Sequence, residues 1–147
     1  MINSAEEFVR LRSSEIMEEY LRAAKEEAPI SVWKEVIQKY PDYARWVVHN
    51  KIVPLEILTE LYQSRPDVRC FIAMKRKLSP ELFELLSNDE NYIIRKEIAI
   101  NQKTPLSILK KLASDKDNGV ANTAKERIKE REERLAKAAS RDGAKKP

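Results

Sequence analysis

Glycine is nearly missing from this chain: only Gly119 and Gly143 occur in 147 residues. A β-sandwich or barrel of this length closes its strands with many glycine-centred turns, so the scarcity argues against an all-β fold. It favours helices, because glycine costs a helix interior about 1 kcal/mol relative to alanine. Cysteine and histidine are scarcer still, with Cys70 and His49 the single examples. One of each cannot build a Cys/His zinc site or an iron–sulfur cluster from one chain, and a lone cysteine closes no intramolecular disulfide. No metal or cofactor is expected. No apolar run approaches the roughly 20 residues of a membrane-spanning helix. The first apolar residues are interrupted by Glu6, Glu7, Arg10 and Arg12, which breaks the pattern of a secretory leader. The cytosol is the default location. A Gly-rich phosphate loop, a His-Glu-x-x-His helix and a nucleophile elbow are all lacking, so no catalytic residue is expected.

What the chain does have is charge and helix-forming residues. Charged side chains make up 35% of it and hydrophobic ones 42%, enough for one domain with a continuous core. The net charge of +4 is uneven. Residues 1–40 carry 6 basic and 8 acidic side chains, residues 41–117 carry 13 and 11, and residues 118–147 carry 9 and 5. The basic excess therefore sits in the tail. A mixed-sign middle reads as a solvated face and argues only weakly for nucleic acid.

Pro54, Pro80 and Pro105 recur at intervals of 26 and 25 residues. Val68-Arg69 with Ile72-Ala73 precedes the second, and Ile94-Arg95 with Ile98-Ala99 precedes the third. Leucines follow each proline: Leu55, Leu58, Leu61; Leu82, Leu85, Leu86; Leu106, Leu109, Leu112. A fixed period of this size is the signature of stacked units that cannot bury an apolar face alone. Each unit reads as two short helices. The first covers 42–49, 67–74 and 92–100; the second starts at each proline, whose missing N–H suits a first helical turn. Ser79 and Thr104 are expected to cap two of these helices through their hydroxyls. A degenerate unit from Asp117, with Val120, Ala121 and Ala124, runs into a charged helix to about Ala139, and Ser140–Pro147 are expected to be disordered. Upstream, Ser4 and Glu7 form a capping box, Ser14 is expected to start a second helix through Ile16, Met17, Tyr20, Leu21 and Ala24 until Ala28-Pro29 interrupts it, and Ser31 is expected to open a third. Those helices lack the motif. The expected organisation is an N-terminal cap over 1–40, repeats over 41–128, and a charged helix and tail over 129–147.

The pattern Val/Ile-Arg-x-x-Ile-Ala followed by Thr/Ser-Pro-x-x-x-Leu resembles the leucine-rich repeat variant, a bacterial relative of the HEAT repeat superfamily. Ile94 to Leu112 matches best, and Leu112-Ala113-Ser114-Asp115 resembles the family's Leu-Ala-x-Asp ending. The resemblance covers roughly residues 41–128. It implies an all-α, right-handed α-solenoid of paired short helices, one of each pair sometimes 3₁₀, that serves as a scaffold for binding other proteins. Arg45 lies one residue out of register with Arg69 and Arg95, and the family's iron–sulfur cysteine cluster has no counterpart.

Arg69 and Arg95 suit either a structural ladder to Asp67, Asp89, Asp115 and Asp117, or phosphate binding. Asn50 and Asn101 read as helix-end residues. Lys51, Lys75, Arg76, Lys77 and Lys103 fall in equivalent connections and are expected to form a basic stripe along one edge, a docking edge for an acidic partner. Trp33 fits a core, whereas Trp46 is a candidate binding hot spot. Cys70 and His49 read as packing or surface residues. The expectation is a non-enzymatic, monomeric, helical-repeat module that binds another protein, in the role of a bacterial adaptor or a toxin-immunity protein. Nucleic-acid binding by a HEAT-like protein is the alternative.

Overall fold

The computed structural model describes residues 1–144, and among them every regular element is helical. The helices are α1 Ala5–Ser13, α2 Met17–Lys25, α3 Ile30–Lys39, α4 Ala44–His49, α5 Leu55–Ser64, α6 Arg69–Ala73, α7 Pro80–Ser87, α8 Tyr92–Ile100, α9 Leu106–Leu112 and α10 Asn118–Ala144. Two 3₁₀ turns, Pro41–Tyr43 and Pro66–Val68, lead into α4 and α6. Both begin with Pro-Asp, where proline's fixed φ starts the tight turn without losing a bond. The chain forms two compact units, Met1–Ile72 and Ala73 onward, dividing inside α6.

A common register governs the second helix of each pair. It begins at Pro29, Pro54, Ser79 and Pro105, each an extended residue at the N-cap. The carbonyls of Pro29, Pro54 and Pro105 accept from the N–H groups three and four residues on, at 2.9–3.3 Å. Positions three, four and seven after each cap are buried: Val32, Trp33, Val36; Ile57, Leu58, Leu61; Leu82, Phe83, Leu86; Ile108, Leu109, Leu112. This is the spacing of one helical face. Leu85 and Leu106, expected on that face, are exposed, and Phe83 and Ile108 take the inward positions.

Several expectations about caps need correcting. Pro54 and Pro105 are the caps themselves rather than first-turn residues; only Pro80 sits inside the first turn. Ser79 does cap, accepting from Leu82 N–H at 3.2 Å. Thr104 does not: its hydroxyl donates back to the Ile98 carbonyl at 2.5 Å and is buried at the end of α8. Ser31 lies inside α3, because Pro29 already opens that helix. Pro29 therefore ends nothing prematurely; it opens α3 at the same register as Pro54.

In the first unit α1 packs on α2 and α3, and α3 packs on α4 and α5. Phe8, Leu11, Val36, Val47, Leu58 and Leu61 are fully buried there. Trp33 is also fully buried and meets Phe8 edge-on at 5.2 Å, with its indole N–H lacking a partner among the described residues. In the second unit α7 packs on α8 and α9, and α10 packs on both α8 and α9. Successive second helices are thus neighbours within each unit, α3 with α5 and α7 with α9.

Helix α10 begins where Asp117 accepts from Val120 N–H at 2.9 Å, and Val120, Ala121 and Ala124 bury its first turns. Beyond Arg131 every described side chain is exposed. The helix nonetheless continues through Ser140–Ala144, residues expected to be disordered. Its 27 residues span about 40 Å at 1.5 Å per residue. Glu130 with Arg134 and Glu133 with Lys137 have the acid-first four-residue spacing that supports a solvated helix. The rest of that expected tail, residues 145–147, lies outside the described residues.

Candidate functional site

The recurring asparagines are structural. Asn50 Nδ2 donates to the carbonyls of Ala23 and Glu26, both at 2.9 Å, and its Oδ1 accepts from Ile52 N–H at 2.9 Å. Asn101 repeats this in the second unit, donating to Ala73 O at 2.9 Å and Lys75 O at 2.7 Å and accepting from Lys103 N–H at 3.0 Å. Each buried amide satisfies carbonyls left open at the end of a preceding first helix while closing its own turn. Because α2 is engaged by Asn50 as α6 is by Asn101, residues 17–40 share the register of the later pairs. Pro29 was the signal for this, 25 residues before Pro54.

The arginines are structural too. Arg95 is bidentate to Asp115, at 2.9 and 3.1 Å, with 7% and 9% of the two side chains exposed. Its remaining nitrogen donates to the carbonyls of Asp89 and Glu90 at 2.8 and 3.1 Å. Asp115 in turn accepts from Asp117 N–H at 2.9 Å. Burial would raise the Asp115 carboxyl, but the Arg95 hydrogen bonds, the Asp117 N–H and the charges of Arg95 and Lys116 outweigh it and hold the group below the usual carboxylate range. Arg69 donates to Tyr62 O at 2.7 Å with its guanidinium 4.2 Å from the Tyr62 ring centre. All of this ties helix ends and loops together, and none of it presents an open anion site. The register position in α4 is buried Ala44, so Arg45 is free of that duty.

The expected basic edge is only partly assembled. Within the second unit Asn101 bridges the connections that hold Lys75 and Lys103, and Arg76, Lys77 and Lys103 are exposed. Lys75 is not: it is half-buried, and desolvation pushes its ammonium down to about 8. It drops out of any exposed stripe. Lys51, in the first unit, is exposed and its N–H donates to Ala24 O at 2.8 Å.

Trp46 sits in a cluster that sequence spacing did not reveal. It lies half-buried on α4, and the guanidinium of Arg12, from α1, stacks 3.4 Å from its ring centre. The same guanidinium lies 4.4 Å from Tyr20 of α2. Arg45 lies 4.7 Å from Trp46 and 4.8 Å from Phe71, and the His49 ring stands 5.4 Å from both aromatics. Two cations and three aromatic rings thus form one alternating row, Tyr20, Arg12, Trp46, Arg45, Phe71. A cavity of about 330 Å³ opens beside it, lined by Arg12, Tyr20, Ala23, Ala24, Arg45, Trp46 and His49.

The electrostatics of this row are unbalanced. Arg10 is paired with Glu19 and Arg22 with Glu7 and Glu26, but among the described residues neither Arg12 nor Arg45 has a carboxylate partner. Stacking on rings fixes a guanidinium's plane and covers its faces while leaving the N–H edge to hydrogen-bond. Ile16 and Met17, four and three residues before Tyr20 at the start of α2, are exposed, as is Tyr20. One signal in the sequence does mark the location. Leu21, Trp46, Phe71 and Glu97 share a register, as do Ala24, His49, Met74 and Ile100, and these positions are exposed or half-buried in every first helix. Arg12 carries no such signal.

No group of three or more His, Cys, Asp or Glu side chains able to hold a metal occurs among the described residues. No described helix is long and apolar enough to cross a membrane. No family model matches the chain, and no curated protein or solved structure matches it significantly.

Proposed function

We propose that the chain is a non-enzymatic helical-repeat module, a right-handed solenoid of the kind that the leucine-rich repeat variant resemblance implies, which binds another protein through the side of α2 and α4 that carries Trp46. The single observation behind this reading is the Arg12–Trp46–Arg45 row: a large half-buried aromatic flanked by two guanidiniums that have no carboxylate partner among the described residues. Tryptophan and arginine are the residues that dominate binding energy at protein interfaces. The recurring cap register and the asparagine hydrogen bonds support the repeat reading. The adaptor or toxin-immunity role rests on the resemblance alone; a cytosolic location and a monomeric state are part of the same proposal. Affinity capture from lysate with the wild-type chain and Trp46→Ala, read by quantitative mass spectrometry, tests the binding reading. A protein recovered by wild type and depleted at least tenfold by Trp46→Ala is the expected result. Recovery of no protein at any salt concentration, or equal recovery by both chains, overturns it.

A further inference from the structure

We infer that the Arg12–Trp46–Arg45 row is a site for an acidic linear segment, whose carboxylates take the guanidinium edges and whose apolar side chain enters the adjoining cavity; this rests on the protein-binding reading above and names its ligand chemistry. Charge complementarity selects the acid. Both guanidiniums lack carboxylate partners among the described residues, while neighbouring Arg10 and Arg22 are already paired. Stacking selects a carboxylate over a nucleobase. Tyr20, Trp46 and Phe71 each already carry a guanidinium against the ring, at 3.4–4.8 Å, so the rings are poorly placed as open stacking platforms. What the row offers is a set of in-plane N–H donors, the geometry that a carboxylate accepts bidentately.

The cavity selects the rest of the ligand. At about 330 Å³ it is of a size for one or two side chains, and Ala23, Ala24, Tyr20 and Trp46 are the apolar and aromatic residues in its lining. Ile16 and Met17, exposed at the start of α2 within four residues of Tyr20, offer further apolar area to such a chain. The matching ligand is a segment of Asp or Glu residues around a Leu, Ile, Met or aromatic anchor.

The test pans a display library of random twelve-residue peptides against the full-length chain. Enriched sequences are then synthesised with a fluorophore and titrated by anisotropy against wild type, Arg45→Glu and Arg12→Lys, alongside a twelve-nucleotide single strand. Arg45 is exposed, so Arg45→Glu leaves the core intact, and circular dichroism checks that both variants keep their helicity. Enriched peptides should carry two or more acids around an apolar anchor. Arg45→Glu should weaken them about tenfold or more, in line with losing a charge-assisted pair. A Lys-for-Glu version of the peptide should regain binding to Arg45→Glu. In a Trp33→Phe background, Trp46 emission should shift on titration. Enrichment of neutral or basic peptides, no enrichment, equal affinity for the variants, or tighter binding of the oligonucleotide overturns the inference. If lysate capture depends on Trp46 while the acidic peptides fail, this inference falls and the protein-binding reading stands.

Discussion

Lys75 lies at the register position that Asn101 fills one repeat later, and the amide of Asn101 donates to the carbonyl of Lys75 at 2.7 Å. A polar residue that binds helix ends in neighbouring pairs is here replaced by a lysine whose ammonium is desolvated. The substitution has a pH signature. The folded-state value, about 8, is below the ordinary 10.5, so the unfolded chain holds more protons between the two. Stability should therefore rise as pH increases from about 8 toward 10.5, and the cost of the buried charge is fully present below that window. Lys75→Asn should flatten this slope and stabilise the protein near neutral pH by on the order of 1–3 kcal/mol. Urea titrations at pH 7 and pH 9.5 on both chains measure it.

Asn101 itself makes three hydrogen bonds from a buried position. Asn101→Ala removes all three bonds, at about 2–4 kcal/mol in total. Asn50→Ala should cost a similar amount, since it removes the same three bonds in the other unit. Equilibrium denaturation of the two variants, compared with the exposed control Gln102→Ala, checks both values.

Arg95 and Asp115 form a buried pair, and removing one partner strands the other. Asp115→Ala should destabilise by about 3–5 kcal/mol. The wild-type dependence on acid follows from the depressed Asp115 carboxyl. Its contribution is complete above the ordinary carboxylate value of 3.8 and is lost as pH falls through the lower folded-state value. Asp115→Asn should remove that part of the acid dependence, as read by thermal melts from pH 6 to pH 2.

The all-helical fold was legible from glycine scarcity and from the proline period, but the register was only half read. Pro54, Pro80 and Pro105 mark three second helices; Pro29 marks a fourth, but α2 carries Glu19 at the position that Arg69 holds in α6, so the arginine motif is missing there. The recurring Pro-Asp at 41–42 and 66–67 similarly encodes the 3₁₀ turns. The exposed lysines were legible as loop residues, but the inward turn of Lys75 depends on packing that spacing does not report. Trp46 was legible as an outlier among core-like aromatics. Its stacking partner Arg12 was not, because the two are 34 residues apart on helices whose relative placement no local pattern states.

Trp33, in the first unit's core, carries an indole N–H that has no partner among the described residues. Trp33→Phe removes that orphan donor along with some packing area, and the two effects oppose each other. Its cost should therefore stay below about 2 kcal/mol, against about 3–5 kcal/mol for Trp33→Ala. Chemical denaturation of both variants separates the two.

Hydrogen exchange on the wild-type chain, free and bound to the protein that capture recovers, reports the binding face directly. Protection should concentrate in α2 and α4, around Tyr20 and Trp46, with the connections holding Lys51, Arg76, Lys77 and Lys103 unchanged. Protection confined to those basic connections, with α2 and α4 exchanging as in the free chain, would contradict this placement.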